Sequence, residues 1–114
     1  MRTRREGYRP LVYICSPFAG DTAENIKRAE RFCRFAVNRG CIPLAPHLLY
    51  PRFMKEPEER ENALFMGMVL LGKCDEVWVL SDCISDGMKA EIALAEKRRQ
   101  TIKYFDFKEV NPNA

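Results

Sequence analysis

Glu91, Asp75 and Tyr13 are the residues whose types and surroundings best fit chemistry on a small ligand. Glu91 lies in CDEVWVLSDCISDGMKAEIALA, which reads as a buried strand, a short polar loop and the first turns of a helix. If Ser85 or Asp86 caps that helix, Glu91 falls one to two turns in and can face the crevice at the strand end. Met88, Ala90, Ile92 and Ala95 would desolvate it in part, while the helix N-terminus favours its anion. Such a carboxylate can act as a nucleophile towards an electrophilic sugar carbon. The plainer reading is a surface glutamate paired with Lys89, Lys97 or Arg98. Asp75 can donate a proton to a leaving group if burial raises its pKa, or it can simply cap the strand entrance or pair with Lys73. Its place before the strand is awkward, because ligands in such folds bind beyond the strand ends; a shorter strand or a second subunit would have to bring it in. Asp82 and Asp86 are alternatives. The Tyr13 hydroxyl can orient a carboxylate across the crevice or belong to the core.

Around these residues stand candidate ligand contacts. Ser16, Pro17 and Gly20 form one turn, and Ser81, Ser85, Gly87 and Met88 belong to another. Hydroxyls and backbone N–H groups in such loops can hold a phosphate or a sugar, although neither loop matches a full GxGxxG or P-loop, and plain turn chemistry explains both. His47, the only histidine, can contact a base or ribose from a long loop. Five cysteines, at positions 15, 33, 41, 74 and 83, show no CxxC or Cys/His metal spacing, so no metal or cofactor is expected. A redox pair of Cys15 and Cys83, at adjacent strand ends, is a minor reading.

The elements that must position these groups follow from pattern. Leu11 to Cys15 reads as an apolar strand covered on both faces, and Cys41 to Leu44, Glu76 to Leu80 and Thr101 to Phe105 read as three further strands. A helix capped by Asp21 or Thr22 runs to about Asn38, with Ile26, Ala29, Cys33, Ala36 and Val37 on its apolar stripe. Residues 45–59 read as irregular, and a second helix starts near Pro57 or Glu58 and runs to Gly72. From Ala63 to Leu71 that helix is apolar around nearly its whole circumference, as burial against a second subunit would require. The alternation predicts a three-layer α/β/α domain with a four- to five-stranded parallel sheet in the order 2-1-3-4, flavodoxin- or Rossmann-like. The switch point between strands 1 and 3 brings the Ser16–Asp21 and Ser81–Gly87 loops together.

Composition sets limits. The 114 residues carry a net charge of +3, with 46% hydrophobic and 31% charged residues, which fits one soluble domain. The domain is expected over residues 10–107, between a flexible basic arm (1–9) and a tail (108–114). No apolar run approaches the roughly 18 residues of a membrane span, and no signal-peptide core is seen, so a cytoplasmic location is expected. The opening MRTRREGYR holds four arginines, but no basic stripe interleaved with aromatics follows, so nucleic acid is not the expected partner.

YICSPFAG, GCIPLAPH and CDEVWVLSDCISDGMKAEIALA together resemble the nucleoside 2-deoxyribosyltransferase superfamily, whose relatives include 2′-deoxynucleoside 5′-phosphate N-hydrolases. The resemblance covers residues 11 to 105 and is most specific in Ser85-x-Gly87-x3-Glu91 with Asp75 and Tyr13. It implies that Glu91 attacks the anomeric carbon to form a covalent glycosyl-enzyme, that Asp75 assists proton transfer to the base, and that Tyr13 orients Glu91. It further implies a nucleoside or nucleotide ligand and a homo-oligomer whose site a neighbouring subunit completes. Position 85 is a serine, as in the phosphate-binding hydrolases, where the transferases carry aspartate. The first loop departs from the hydrolase pattern, with Ser16-Pro17 and Ala19 in place of a glycine-serine and an arginine. His47 stands where the transferases place a base-contacting glutamine.

Overall fold

Val12, Tyr13, Ile14 and Cys15 are all buried, as a β-branched and apolar run becomes only when both faces of its strand are covered. That strand, β1 (Leu11–Cys15), is the centre of a four-stranded sheet in a computed structural model that describes residues 7–18 and 20–112. β2 (Ile42–Leu44) pairs along one side of it, with Tyr13 opposite Leu44. β3 (Glu76–Leu80) pairs along the other, with Tyr13 opposite Val77 and Cys15 opposite Val79. β4 (Thr101–Phe105) flanks β3. All pairs are parallel and the order is β2-β1-β3-β4, as the βα alternation predicts.

Because successive strand residues point to opposite faces, two cores form. Val12, Ile14, Trp78, Leu80 and Phe105 lie on one face under α1 (Thr22–Asn38), which contributes Phe32 and Ala36. Tyr13, Cys15, Val77 and Val79 lie on the other, packed with Leu71 of α3 (Arg60–Gly72) and with Met88 and Ala95 of α4 (Asp86–Lys97). Asp21 caps α1 by accepting from the Glu24 N–H at 3.3 Å. The buried stripe of α1 is Ala29, Phe32 and Ala36, whereas Val37 is 43% exposed. Phe32 stacks with Phe35, Trp78 and Phe105 in one aromatic cluster, so its truncation to alanine costs about 3–5 kcal/mol.

Residues 45–59 are more ordered than their prolines suggest. Pro46 opens α2 (Pro46–Leu49), a position where its missing N–H costs nothing, and a 3-10 turn follows at Tyr50–Arg52. α3 begins at Arg60 rather than at Pro57 or Glu58. The residues expected to form a tail beyond 107 instead continue as α5 (Phe107–Val110), capped by Asp106, with Val110 buried in the α1-side core. Most of the basic arm, residues 1–6, lies outside the described residues, as does Ala19. No helix among the described residues is long and apolar enough to cross a membrane.

Candidate functional site

Strand alternation places Tyr13 and Cys15 on the α4 face of β1, two residues apart at its C-terminal end. α4 starts at Asp86 because Ser85, in extended backbone geometry, accepts the Met88 N–H at 3.3 Å. The fully buried Met88 anchors the first turn, and Glu91 comes round in the next turn towards the strand end. There the Tyr13 hydroxyl donates to Glu91 Oε2 at 2.5 Å and the Cys15 thiol donates to Glu91 Oε1 at 3.3 Å. Each carboxylate oxygen therefore takes one hydrogen bond and keeps lone-pair capacity for a ligand.

Burial raises the Glu91 pKa, and the hydrogen bonds from Tyr13 and Cys15 oppose that rise. Burial and the neighbouring Glu91 charge push the Tyr13 phenol and the Cys15 thiol far up, so both remain donors at any working pH. The result is a partly buried carboxylate held in one orientation by two protonated partners. Across from it, α3 presents bare backbone: a Cβ on the buried Gly67 would come 3.5 Å from the Tyr13 hydroxyl.

Next to this group lies a second polar pair. Ser16 directly follows Cys15 and is 6% exposed; its hydroxyl is 2.9 Å from Nε2 of His47, delivered by α2. Burial lowers the His47 pKa to about 4, so the ring is neutral near neutral pH. Phe18 meets the ring edge-on, with centroids 6.3 Å apart. Pro17, between them, is half-buried, and Gly20 turns the chain into α1 with a φ of +93°, a conformation that favours glycine.

The other predicted positions take structural roles or stand at the rim. The Ser81 hydroxyl donates to the Phe105 carbonyl at 3.1 Å, tying β3 to β4. Gly87 is exposed in the first turn of α4. Asp82 accepts the Phe107 N–H at 2.6 Å, and Asp86 lies 3.8 Å from the Lys89 ammonium.

Asp75 does not join Glu91 within this chain. β3 begins at Glu76, immediately after it, so Asp75 stands at the N-terminal end of the sheet while Glu91 serves the C-terminal end. Its carboxylate accepts the Leu11 N–H at 2.8 Å and the Tyr8 hydroxyl at 3.3 Å, bracing the entrance of β1. Five strand residues at about 3.3 Å each separate the two ends, farther than an aspartate side chain can reach. Cys15 as a second donor to Glu91, and Gly67 beside Tyr13, are contacts that the sequence reading missed. Cys15 was legible by its two-residue spacing from Tyr13; Gly67 carries no side chain to signal anything. Among the described residues there is no group of His, Cys, Asp and Glu side chains able to hold a metal ion.

The model of the family described as "Domain of unknown function (DUF7768)" matches residues 10–105. The chain belongs to the DUF7768 family. The match takes in the whole of the sheet and the Tyr13–Cys15–Glu91 group of this DUF7768 chain. Among solved structures, a 2-deoxyribosyltransferase from the psychrotolerant bacterium Bacillus psychrosaccharolyticus is similar in fold, with a TM-score of 0.66 at 17% identity. The superposition covers 84% of the DUF7768 chain and 72% of that protein. No curated protein matches the sequence.

Proposed function

We propose that this DUF7768 chain cleaves or exchanges the N-glycosidic bond of a (deoxy)nucleoside or nucleotide, with Glu91 as the nucleophile. The observation that carries the reading is the Glu91 carboxylate, fixed by Tyr13 at 2.5 Å and Cys15 at 3.3 Å at the C-terminal end of β1. The fold likeness to a protein named as a 2-deoxyribosyltransferase supports it. In the reaction a Glu91 oxygen forms a bond to the anomeric carbon as the carbon–nitrogen bond breaks, and the departing base takes up a proton. Water then releases the sugar, or a second base takes it, and Glu91 is regenerated. Tyr13 and Cys15 hold the carboxylate in position for attack, and Ser16, Pro17, Gly20, His47, Ser85 and Gly87 surround the ligand.

One observation favours a second reading, a module that binds a nucleotide-derived ligand without turning it over. Among the described residues no second carboxylate is hydrogen-bonded to Glu91 or to its two donors, and Asp75 stands at the far end of β3. A proton for the leaving base then has to come from solvent or from a neighbouring subunit. Self-association through α3 belongs to the same proposal, because Leu64, Phe65 and Val69 are exposed on it.

Incubation with a panel of deoxynucleosides and their 5′-monophosphates, followed by chromatography for free base, tests the reading. Base release that disappears in Glu91→Gln, with a glycosyl adduct on the wild-type chain by mass spectrometry, is the expected outcome. Saturable binding with no free base for any member of the panel would replace the enzyme by the binding module.

A further inference from the structure

A parallel sheet ordinarily has both faces covered by helices. On the face opposite Glu91, α1 packs over β1 and β2 and sets Phe32 and Phe35 against Trp78 and Phe105, and the four-residue α5 adds Val110. Beside them, next to Pro10 and Cys41, that face leaves a hollow of about 440 Å³. The buried Trp78 and Phe105, 3% and 8% exposed, lie at its base, and Arg39, Glu76 and Lys103 stand around it. Its volume is within the range of about 300–1,000 Å³ usual for small-molecule sites.

The charges around the hollow are organised. Glu76 accepts the Trp78 indole N–H at 2.8 Å and lies 3.3 Å from the Lys103 ammonium, so one carboxylate fixes both the ring and the cation. Lys103 in turn sits 5.9 Å from the centre of the Trp78 ring. Arg39 is stacked 4.4 Å over Phe35 and 5.6 Å from the centre of Phe105, which fixes the plane of its guanidinium. Among the described residues that guanidinium has no carboxylate partner. Among the described residues two cations face one carboxylate around the hollow, a net positive set, and one of the cations leaves its donor fork unpaired.

We propose that this hollow is a second binding site, separate from Glu91, for a small organic anion with a flat apolar body and a carboxylate or phosphate head. The head pairs with Arg39, whose parallel N–H donors match two oxygens of either group. Lys103 adds a second charge, and the flat body lies against the aromatic floor.

Trp78 is the chain's only tryptophan, so its emission reports on the hollow directly. Benzoate and phenyl phosphate represent the two head groups; benzamide keeps the shape without the charge. Saturable change of Trp78 emission with either anion and none with benzamide is expected, and the stronger of the two names the head group. Arg39→Gln should weaken binding at least about ten-fold. Glu76→Gln should tighten it, because Lys103 loses its competing carboxylate; a merely structural role for Glu76 would not give that sign. Circular dichroism of each variant checks that the sheet is intact. No saturable response to either anion up to about 10 mM, an equal response to benzamide, or unchanged affinity in folded Arg39→Gln overturns the proposal.

Discussion

As the proposed nucleophile, Glu91 meets two opposed demands on one carboxylate. Attack on carbon needs it unprotonated and poorly solvated, and burial, which supplies the second condition, works against the first by raising its pKa. The Tyr13 and Cys15 hydrogen bonds restore part of the anion's stability. Tyr13→Phe removes the shorter of them and shifts the Glu91 pKa further up. A hydrogen bond to a charged group is worth about 1.5–3 kcal/mol, so turnover should fall about 10- to 100-fold. The loss should be larger on the acid side of the pH–rate profile, and a uniform loss across pH would assign Tyr13 to packing. His47 gives a second test with the opposite sign. Its folded pKa is lowered to about 4 by burial, against about 6.5 when unfolded, so the unfolded chain binds the extra proton between those values. The stability due to the neutral ring is thus complete above about pH 6.5 and is lost as the pH falls towards 4, by at most about 1.4 kcal/mol per unit. Urea unfolding of wild type and His47→Gln at about pH 7 and pH 5 should show a shallower pH slope in the variant. The residues at this scale were only partly legible. The sequence links Tyr13 with Glu91 but leaves Ser16 and His47 apart, because only the short helix α2 brings His47 back over the end of β1. Asp75 carries the right chemistry at the wrong end of its strand.

At the scale of elements, α4 and β1 set the geometry, and α3 decides how much room is left. Ser85 was readable as a cap, because serine before a helical apolar pattern satisfies an otherwise unpaired N–H. Pattern puts Cys33 and Val37 on the stripe of α1; Cys33 packs against the core, and Val37 is exposed. Phe32 lies three residues from Ala29 and four from Ala36, so periodicity allows either side of the helix. The aromatic cluster with Trp78 and Phe105, which no local pattern encodes, selects Phe32. Within α3, Gly67 weakens the helix by about 0.5–1 kcal/mol relative to alanine. A Cβ there would make an ordinary contact, 3.5 Å from the Tyr13 hydroxyl. Gly67→Ala should therefore fold and gain about 0.5–1 kcal/mol in denaturant unfolding. If a ligand occupies the space beside Tyr13, the same variant should raise KM while leaving the Glu91 group in place. A stabilised variant with unchanged KM would move the ligand away from α3.

For the molecule as a whole, strand order was the most legible property, since apolar runs separated by helices, with short connections and right-handed crossovers, leave few alternatives to 2-1-3-4. The proposed self-association rests on α3. α3 buries Gly67 and Leu71, yet Leu64, Phe65 and Val69 remain 58%, 67% and 43% exposed. Phe65 and Val69 are four residues apart, so they stand on one side of the helix, with Leu64 adjoining. A lone exposed leucine needs no explanation, but three large apolar side chains on one helix, which also presents Gly67 to Tyr13, form a surface suited to a second copy. If two chains meet there, sedimentation should give a mass above the 13.3 kDa of one chain. Leu64→Glu with Phe65→Glu places like charges at the contact and should return the protein to 13.3 kDa while its circular dichroism is unchanged. The activity of that monomer then settles where the missing proton donor resides. Loss of base release on dissociation, with ligand binding retained, would assign the donor to the neighbouring subunit. Full activity in the monomer would mean that Glu91, its two donors and solvent suffice.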